Sequence, residues 1–243
     1  MEHKMIGQGN TANVYEWEDG KVLKLFHQGY PIDSVKREYE NAKRLNLMNF
    51  SKPMVHEIVT ISNQYGILYD KVNGISMFDW LMTTGDMKYC ARKIAQLQDK
   101  INENKAYEFM DYKEFLRNNL QRFVLSGGME AKSQGEEMLH LLTILKDGEN
   151  LCHGDYHPGN IFIEEDKVSV IDFMNCCRGP REYDIARSLY LIQYSPIPQN
   201  MPGVEEVLKV REQLADHYLN YMKVSREELK DYLAVITVSR GGE

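Results

Sequence analysis

Hydrophobic and polar residues alternate in the first part of the chain with the period of a β-strand. Residues 12–18 (ANVYEWE) and 21–26 (KVLKLF) form two such runs, and Asp19 and Gly20 separate them. An Asp-Gly pair between β-forming runs is a strong hairpin signal. Two further strands are predicted at residues 54–62 and 65–72, before a break at Asn73 and Gly74. The chain therefore begins with a small antiparallel sheet.

A helical pattern lies between these strand pairs. In residues 33–48 (DSVKREYENAKRLNLM), apolar positions recur with the spacing of one helix face. The residues on this face are Val35, Glu38, Ala42 and Leu45. Because the face should point inward, the pattern predicts that the charged residue Glu38 also points inward.

From about residue 77 the composition becomes helical, with amphipathic stretches at 87–101 and 112–125. Residues 151–173 interrupt this pattern with a loop and a hairpin. A capping-box pattern at 225–228 (SREE) then precedes the last predicted helix. The order predicts an α+β fold in which a small sheet with one helix precedes a larger, mainly helical part.

Composition and charge limit the binding partners and the cellular compartment that we expect for the protein. A formal net charge of −7 over 243 residues disfavours general binding to polyanions, so nucleic acid is not expected. No basic segment followed by an apolar run opens the chain, and no stretch is apolar enough to cross a bilayer, so we expect a cytoplasmic protein without a membrane partner. The four cysteines form no CxxC pair, which favours reduced core thiols.

The glycines near the start suggest phosphate binding. In IGQGNTANVY, Gly7 and Gly9 would let backbone amides approach a phosphate, and Val14 would cover a base on the same strand. Ala12 stands at the third position of the GxGxxA spacing and no helix follows, so neither the Rossmann nor the Walker pattern applies. A tight turn that uses glycine only for its backbone freedom is an equal alternative.

A lysine in the second strand of the hairpin predicts an ion pair. Alternation places Val22, Lys24 and Phe26 on one face of 21–26, where an ammonium needs an anion. Glu38 shares the inward helical face, whereas Glu40 points to roughly the opposite side. We therefore predict a Lys24–Glu38 pair that holds the ammonium towards phosphates.

Two histidines in residues 151–160 (LCHGDYHPGN) have a spacing that zinc proteases use. His153 and His157 are four residues apart, but that spacing needs a helix. Gly154, Pro158 and Gly159 make a helix implausible here. We therefore expect these histidines to bind no metal.

The same segment carries oxygen ligands. Asp155 and Asn160 are five residues apart in a loop, and Asp172 ends the hairpin that follows. Together they supply a base for a substrate hydroxyl and two ligands for a hard divalent cation, as metal-assisted phosphoryl transfer requires. Each residue taken alone could equally cap a turn.

Seven motifs taken together resemble the aminoglycoside phosphotransferase and choline kinase-like family, whose members are kinases with the protein-kinase fold. The motifs are GQGNTANVY, VLKLF, REYE, LYDKVNG, HGDYHPGN, IDF and GPREYDIAR. The resemblance covers most of the chain and implies a two-lobed, protein-kinase-like fold. Residues 1–72 would form a nucleotide-binding lobe, and residues 73–243 a catalytic and substrate-binding lobe.

The resemblance also implies roles for individual residues and the cofactors ATP and Mg²⁺. Asp155 would be the catalytic aspartate, and Asn160 and Asp172 the magnesium ligands. Lys24 would bind phosphates with Glu38 as its partner. The hinge that pairs with adenine would extend from Asp70 to Val72.

The chain departs from the family pattern at three positions. Ala12 replaces the third glycine of the phosphate loop, Met174 replaces the glycine of a protein-kinase DFG motif, and Gln98 stands where many relatives carry histidine. Asp184 matches a recurrent family aspartate, which we interpret as a structural anchor.

The expected activity is transfer of the γ-phosphoryl group of ATP to a hydroxyl of a small molecule. The net negative charge is compatible with a cationic acceptor such as an aminoglycoside, an aminoalcohol or an amino sugar. Two alternatives remain open. One is a catalytically silent nucleotide-binding protein, and the other is a protein kinase, for which the interval between Asp172 and Asp184 is short.

Overall fold

The computed structural model describes residues 4–197 and 203–243. These residues form two compact units. The first extends to Ile75 and also contains Phe162–Met174, and the second contains Ser76–Ile161 and Asn175–Glu243. The first three residues of the predicted N-terminal lobe lie outside the described residues. The functional boundary between residues 72 and 73 stays a prediction.

Strands and helices follow one another in the order that the hydrophobic pattern predicts. The strands are β1 (Met5–Gln8), β2 (Ala12–Glu16), β3 (Lys21–Phe26), β4 (Val55–Ile61), β5 (Gln64–Asp70), β6 (Ile75–Ser76), β7 (Asn150–Cys152), β8 (Ile161–Glu164), β9 (Lys167–Val170) and β10 (Cys177–Gly179). The α-helices are α1 (Ile32–Leu45), α2 (Met77–Thr84), α3 (Met87–Asn102), α4 (Tyr112–Ser126), α5 (Met129–Ile144), α6 (Arg181–Leu189), α7 (Val204–Met222) and α8 (Arg226–Ser239).

The first unit is built on a five-stranded antiparallel sheet in the order β1-β2-β3-β5-β4. The predicted β2–β3 hairpin is present. Its turn contains Asp19 at φ +56° and Gly20 at φ +70°, the left-handed conformation that Asp-Gly tolerates. In the sheet, Lys24 lies opposite Val14 on one side and Ile67 on the other.

The helix α1 packs with the face that its sequence predicts. Val35, Glu38, Ala42 and Leu45 are all buried, whereas Glu40 is exposed. Val35 and Ala42 pack in a core with sheet residues such as Phe26. The burial of a glutamate on this apolar face requires a partner, which the sheet supplies.

The segment 162–174 joins the first unit through polar and aromatic contacts. Ser169 Oγ lies 2.6 Å from Ser51 Oγ, and the Val170 amide donates to the Ser51 carbonyl at 3.1 Å. The ring of Phe173 meets Phe50 edge-on at 6.3 Å. These contacts hold Asp172, two residues after the end of β9, in the same unit as Lys24.

The second unit is mainly helical, and α3 and α4 occupy the predicted stretches 87–101 and 112–125 to within one residue at each end. The capping box forms as predicted: Ser225 Oγ accepts from the Glu228 amide, and the Glu228 carboxylate accepts from the Ser225 amide. Within 4–197 and 203–243, none of the helices combines the length and apolar character of a membrane span.

Candidate active site

A cavity of about 390 Å³ opens in the first unit. Its apolar walls come from the five-stranded sheet, from the segment before β4, from β8 and from the residues that follow β9. These wall residues are Ile6, Val14, Val22, Pro53, Phe162, Ile171 and Phe173. Seven of the residues that sequence analysis selected also line it: Gly7, Val14, Lys24, Glu38, Asp70, Val72 and Asp172. An apolar slot with a few convergent charged groups suits a flat base attached to an anion.

Lys24 is the centre of the charged side of the cavity. Its Nζ donates to Glu38 Oε1 at 2.8 Å and to Asp172 Oδ1 at 3.1 Å, which confirms the predicted pair with Glu38 rather than Glu40. Burial lowers the pKa of Lys24, but the charges of Glu38 and Asp172 outweigh it, so the pKa of the ammonium is raised. Lys24 therefore stays charged and is fixed in direction.

Glu38 is buried and is held by two donors on one oxygen. Its Oε1 also accepts from the Tyr69 hydroxyl at 3.1 Å, and its Oε2 has no hydrogen-bond partner within the described residues. Burial raises the pKa of the Glu38 carboxyl, and Lys24 and Tyr69 oppose this effect. The carboxylate thus orients the ammonium from behind.

Asp172 adopts a backbone conformation that few side chains accept. Its φ is +66°, in the left-handed region, while its side chain is 35% exposed at the cavity wall. Such conformations concentrate at functional sites, where the surrounding structure holds them. A carboxylate of this kind suits a cation ligand, and Mg²⁺ takes only one or two protein oxygens beside phosphate and water.

The two glycines at the start of the chain differ in position. Gly7 lines the cavity opposite Val14, and a Cβ there would lie 3.4 Å from the Val14 Cβ. Gly9 is not part of the cavity wall. Its amide donates to the Ala12 carbonyl at 2.9 Å, which closes the turn between β1 and β2. The tight-turn interpretation therefore accounts for Gly9, and phosphate binding there stays a prediction.

The predicted hinge begins where β5 ends. The Asp70 carboxylate faces β4, with Oδ1 2.7 Å from His56 Nε2 and Oδ2 accepting from the Met54 amide at 3.2 Å. The Lys71 amide donates to the Gly20 carbonyl at 2.8 Å. Because the side chain of Asp70 is engaged elsewhere, a base at this position would have to be recognised by backbone groups.

In the second unit, the loop after β7 is held by its backbone. The Gly154 amide donates to Asp184 Oδ1 at 3.0 Å, and its carbonyl accepts from Arg187 Nε at 2.8 Å. Gly154 has φ +75°, and a Cβ would lie 2.3 Å from the Asn175 carbonyl oxygen. Only glycine fits this position, which directly precedes Asp155.

Asp155 and Asn160 are in contact within this loop. Asn160 Nδ2 donates to the Asp155 carbonyl at 2.9 Å and to Asp155 Oδ2 at 3.3 Å. The Asp155 side chain is 26% exposed, so it is accessible to a substrate hydroxyl. Because the amide nitrogen of Asn160 makes these bonds, its oxygen is the atom suited to a cation.

The two histidines do not lie on a helix, as their glycine and proline neighbours predict. His153 Nδ1 accepts from the Asp155 amide at 3.3 Å, and His157 Nδ1 accepts from the Gly159 amide at 3.1 Å. Throughout the described residues, no group of three His, Cys, Asp or Glu side chains gathers as a metal site. Both imidazoles therefore support the loop backbone, and the absence of zinc stays a prediction.

Asp184 has the contacts of an anchor. It is fully buried, and Gln98 Nε2 and Asn102 Nδ2 each donate to its Oδ2 at 2.9 Å, while Gly154 bonds its other oxygen. Gln98 also donates to Ser188 Oγ at 2.9 Å. The glutamine in place of the family's histidine thus binds the anchor with neutral donors.

Sequence analysis gave no role to two residues that touch this machinery, Tyr69 in the motif LYDKVNG and Arg187 in the motif GPREYDIAR. Tyr69 pairs with Val22 across β3 and β5. Its alternation with Ile67 along the strand was the sequence signal that could have placed it on the same face as Ile67. Arg187 lies three residues after Asp184 on α6, a spacing that places both on one helix face. Their roles depend on partners far away in sequence, which periodicity does not reveal.

Comparison with known proteins gives a consistent result. The model of the Phosphotransferase enzyme family (APH) matches residues 2–227. A curated relative, the EKC/KEOPS complex subunit BUD32 of Enterocytozoon bieneusi, is 24% identical over 204 residues, which cover 79% of this chain and 81% of that protein.

Solved structures share the fold at low sequence identity. The aminoglycoside phosphotransferase APH(3'')-Id from Streptomyces rimosus is 15% identical with a TM-score of 0.66, covering 98% of this chain and 92% of that one. An aminoglycoside-3'-phosphotransferase of type VIII is 18% identical with a TM-score of 0.66, covering 97% and 93%. The α+β, protein-kinase-like fold class is confirmed.

Proposed function

The chain belongs to the phosphotransferase enzyme family, and from this premise we propose that it is an ATP-dependent kinase that phosphorylates a hydroxyl of a small molecule. The observation that carries the proposal is Lys24, held 2.8 Å from Glu38 and 3.1 Å from Asp172 at the wall of an apolar cavity. A charged ammonium fixed between two carboxylates, with an apolar slot beside it, suits the phosphates and base of ATP.

In this proposal the first unit binds the nucleotide. Val14 and Val22 cover the base, and the hinge from Asp70 to Val72 recognises it through backbone groups. Gly7 lets the strand approach the phosphates, and Lys24 neutralises them while Glu38 keeps it aimed. Asp172 and Asn160 are the proposed Mg²⁺ ligands, and the bound cation would offset charge on the transferred phosphoryl group.

Asp155 is the proposed catalytic residue. Its carboxylate accepts the proton of the acceptor hydroxyl as that oxygen attacks the γ-phosphorus, and ADP is the leaving group. Asn160 Nδ2 donates to Asp155 Oδ2 at 3.3 Å and so helps to orient the carboxylate. Positioning and electrostatics supply most of the rate enhancement in this chemistry.

A cationic acceptor is the substrate class that we propose. The Streptomyces rimosus phosphotransferase named above has a second structure with ADP and streptomycin, and the similar phosphotransferase APH(2'')-IIa has been solved with gentamicin. The net charge of −7 favours an acceptor that carries amines. Aminoglycosides, aminoalcohols and amino sugars are the compounds to test first.

The two alternatives differ from this proposal in what they require. A protein kinase needs room for an activation segment, whereas residues 173–180 contain β10 and lead directly into α6 at Arg181. A silent nucleotide-binding protein would bind ATP without turnover. Only an activity measurement separates it from the enzyme.

The decisive experiment measures ADP release from Mg-ATP with panels of hydroxylated amines, for the natural chain and for Asp155→Asn. The variant keeps the size of the side chain but removes the proton acceptor, so we expect turnover to fall at least about 100-fold with ATP affinity nearly unchanged. Asp231→Asn, an exposed change of equal charge on α8, is the matched control. Equal turnover of the natural chain and Asp155→Asn would contradict the proposal.

A further inference from the structure

Arg187 is the largest side chain that is fully buried within the described residues. Its guanidinium makes three charge-assisted hydrogen bonds. Nε donates to the Gly154 carbonyl at 2.8 Å, and the two terminal nitrogens donate to Glu243 Oε1 and Oε2 at 2.6 and 2.8 Å. A two-pronged pairing of this kind fixes both the position and the plane of the guanidinium.

The backbone of Gly154, which directly precedes Asp155, is therefore held at both its amide and its carbonyl by one turn of α6. Asp184 binds the Gly154 amide, and Arg187 binds the Gly154 carbonyl. Gly154 has φ +75°, and a side chain there would collide with the Asn175 carbonyl, so the backbone packs closely at this point. Any rotation of the Gly154 carbonyl would redirect the Asp155 side chain.

We propose that Glu243 and Arg187 are positioning residues for Asp155, with the Glu243 carboxylate fixing the guanidinium that holds the catalytic loop. Arg187 is the last residue of the motif GPREYDIAR, but sequence analysis gave it no role, and Glu243 lies in none of the motifs. The inference rests on the proposed function because it assumes that Asp155 carries the proton transfer. It makes the turn Arg240–Gly242 part of the active-site framework.

The position of Glu243 is itself well defined. The Gly242 carbonyl accepts from Arg122 Nε at 2.8 Å, and a Cβ on Gly242 would lie 1.9 Å from the Asn119 carbonyl oxygen. Asn119 Nδ2 also donates to Glu243 Oε1 at 3.3 Å. The turn Arg240–Gly242 thus packs tightly on α4 and presents the Glu243 carboxylate inward.

Electrostatics explain why the carboxylate matters. Burial lowers the pKa of the Arg187 guanidinium, but the bonds to Glu243 outweigh this and raise it. A buried cation that loses its carboxylate is destabilised unless it pairs with another anion. The charge of Asp155 already contributes to the raised pKa of Arg187, so Asp155 is the nearby candidate. Loss of Glu243 should therefore draw the guanidinium away from Gly154 as well as weaken the unit.

The test compares Glu243→Gln with Glu227→Gln in the full chain. Glu227 has a side chain that is 77% exposed and pairs only with Lys230 among the described residues, so its replacement makes the same charge change away from the loop. Steady-state kinetics of ADP release, thermal unfolding and hydrogen exchange of the Gly154 amide are measured for each. All assays are run well below the unfolding temperature of every variant.

For Glu243→Gln we expect kcat to fall roughly 10- to 100-fold, because a misplaced base costs rate and not binding. The KM for ATP should stay within about threefold of the natural value. Exchange of the Gly154 amide should become faster. Glu227→Gln should change neither kcat nor the exchange of this amide. Glu243→Asp, which keeps the charge on a shorter arm, should recover part of the rate.

Two results would overturn the inference. The first is that Glu243→Gln has the same kcat and the same rate of Gly154 amide exchange as the control Glu227→Gln. The second is that the loss of rate in Glu243→Gln equals the fraction of that variant that is unfolded. If the natural chain releases no ADP at all, the proposed function fails, and the exchange experiment alone decides. Faster Gly154 exchange in Glu243→Gln but not in the control supports the inference, and equal exchange refutes it.

Discussion

Lys24 and Glu38 form a 2.8 Å ion pair that links β3 to α1 inside the first unit. The strand period of two predicts that Lys24 points inward from β3, and the helix period of 3.6 predicts that Glu38 points inward from α1. The functional consequence is that neither residue should act alone.

We predict that Lys24→Ala and Glu38→Ala are not additive. Each should lower kcat/KM about 100-fold, and the double variant should be little worse than either single variant, because the glutamate acts by aiming the lysine. A double-mutant cycle on ADP release measures this coupling. The exposed pair Lys43 and Glu40 on the same helix is the control and should show almost no effect. A double variant that loses the full product of both effects would contradict the prediction.

Tyr69→Phe should reduce turnover several-fold and destabilise the fold by about 1–2 kcal/mol, since it removes a buried hydrogen bond to Glu38 without opening a cavity. Urea unfolding and steady-state kinetics provide the two measurements. Tyr39→Phe removes an exposed hydroxyl bond to the His56 carbonyl and serves as the control. If both variants behave alike, Tyr69 does not support the ion pair.

Nucleotide affinity should depend on a divalent cation through Asp172 and Asn160. Titration calorimetry with ATP should show weaker binding when a chelator removes Mg²⁺, and Asp172→Ala should abolish the difference between the two conditions. Asp33→Ala, on the exposed side of α1, should keep it. Identical ATP affinity with and without Mg²⁺ in the natural chain would count against both ligand assignments.

Purified protein should contain no stoichiometric zinc. His153 and His157 each accept a hydrogen bond from a loop amide, so replacing His157 by Ala should change turnover by less than about tenfold. Elemental analysis of the natural chain and of His157→Ala tests the first point, and kinetics test the second. One zinc per chain that is lost in His157→Ala would restore the metal-site hypothesis.

The four cysteines should resist thiol reagents until the protein unfolds. All four are free and buried, and burial raises the pKa of Cys90 to about 12, with Asp86 adding to the effect. The raised pKa leaves very little thiolate at pH 8, and the thiolate is the reactive form. A colorimetric thiol assay should count no fast-reacting group in the native state and four in guanidinium. A fast native thiol would contradict the buried assignment.

Much of the first unit follows from the sequence. The Asp19-Gly20 hairpin, the buried face of α1 and the choice of Glu38 over Glu40 depend on short-range periodicity, which the structure reproduces. For Gly9 the sequence left two interpretations open, and the bond from its amide to the Ala12 carbonyl agrees with the tight turn, while phosphate binding stays a prediction. A glycine pattern alone does not reveal whether an amide is occupied.

The contacts that support the loop containing Asp155 were harder to predict from the sequence. Arg187 and Glu243 are 56 residues apart, and no periodic pattern connects them. Their contact depends on the packing of the final turn against α4, which is decided by tertiary structure. The loop residue Asp155 was found because its chemistry is local, whereas the groups that orient it are not.

The left-handed backbone of Asp172 has a consequence for engineering this protein. A non-glycine residue in that conformation costs about 1 kcal/mol, and glycine would relieve it. A directed-evolution screen that scores only heat resistance or expression would favour Asp172→Gly wherever relief of this strain exceeds the loss of the 3.1 Å bond to Lys24, and so would enrich robust proteins that lack the proposed cation ligand. Selection for improved variants has to include turnover from the first round.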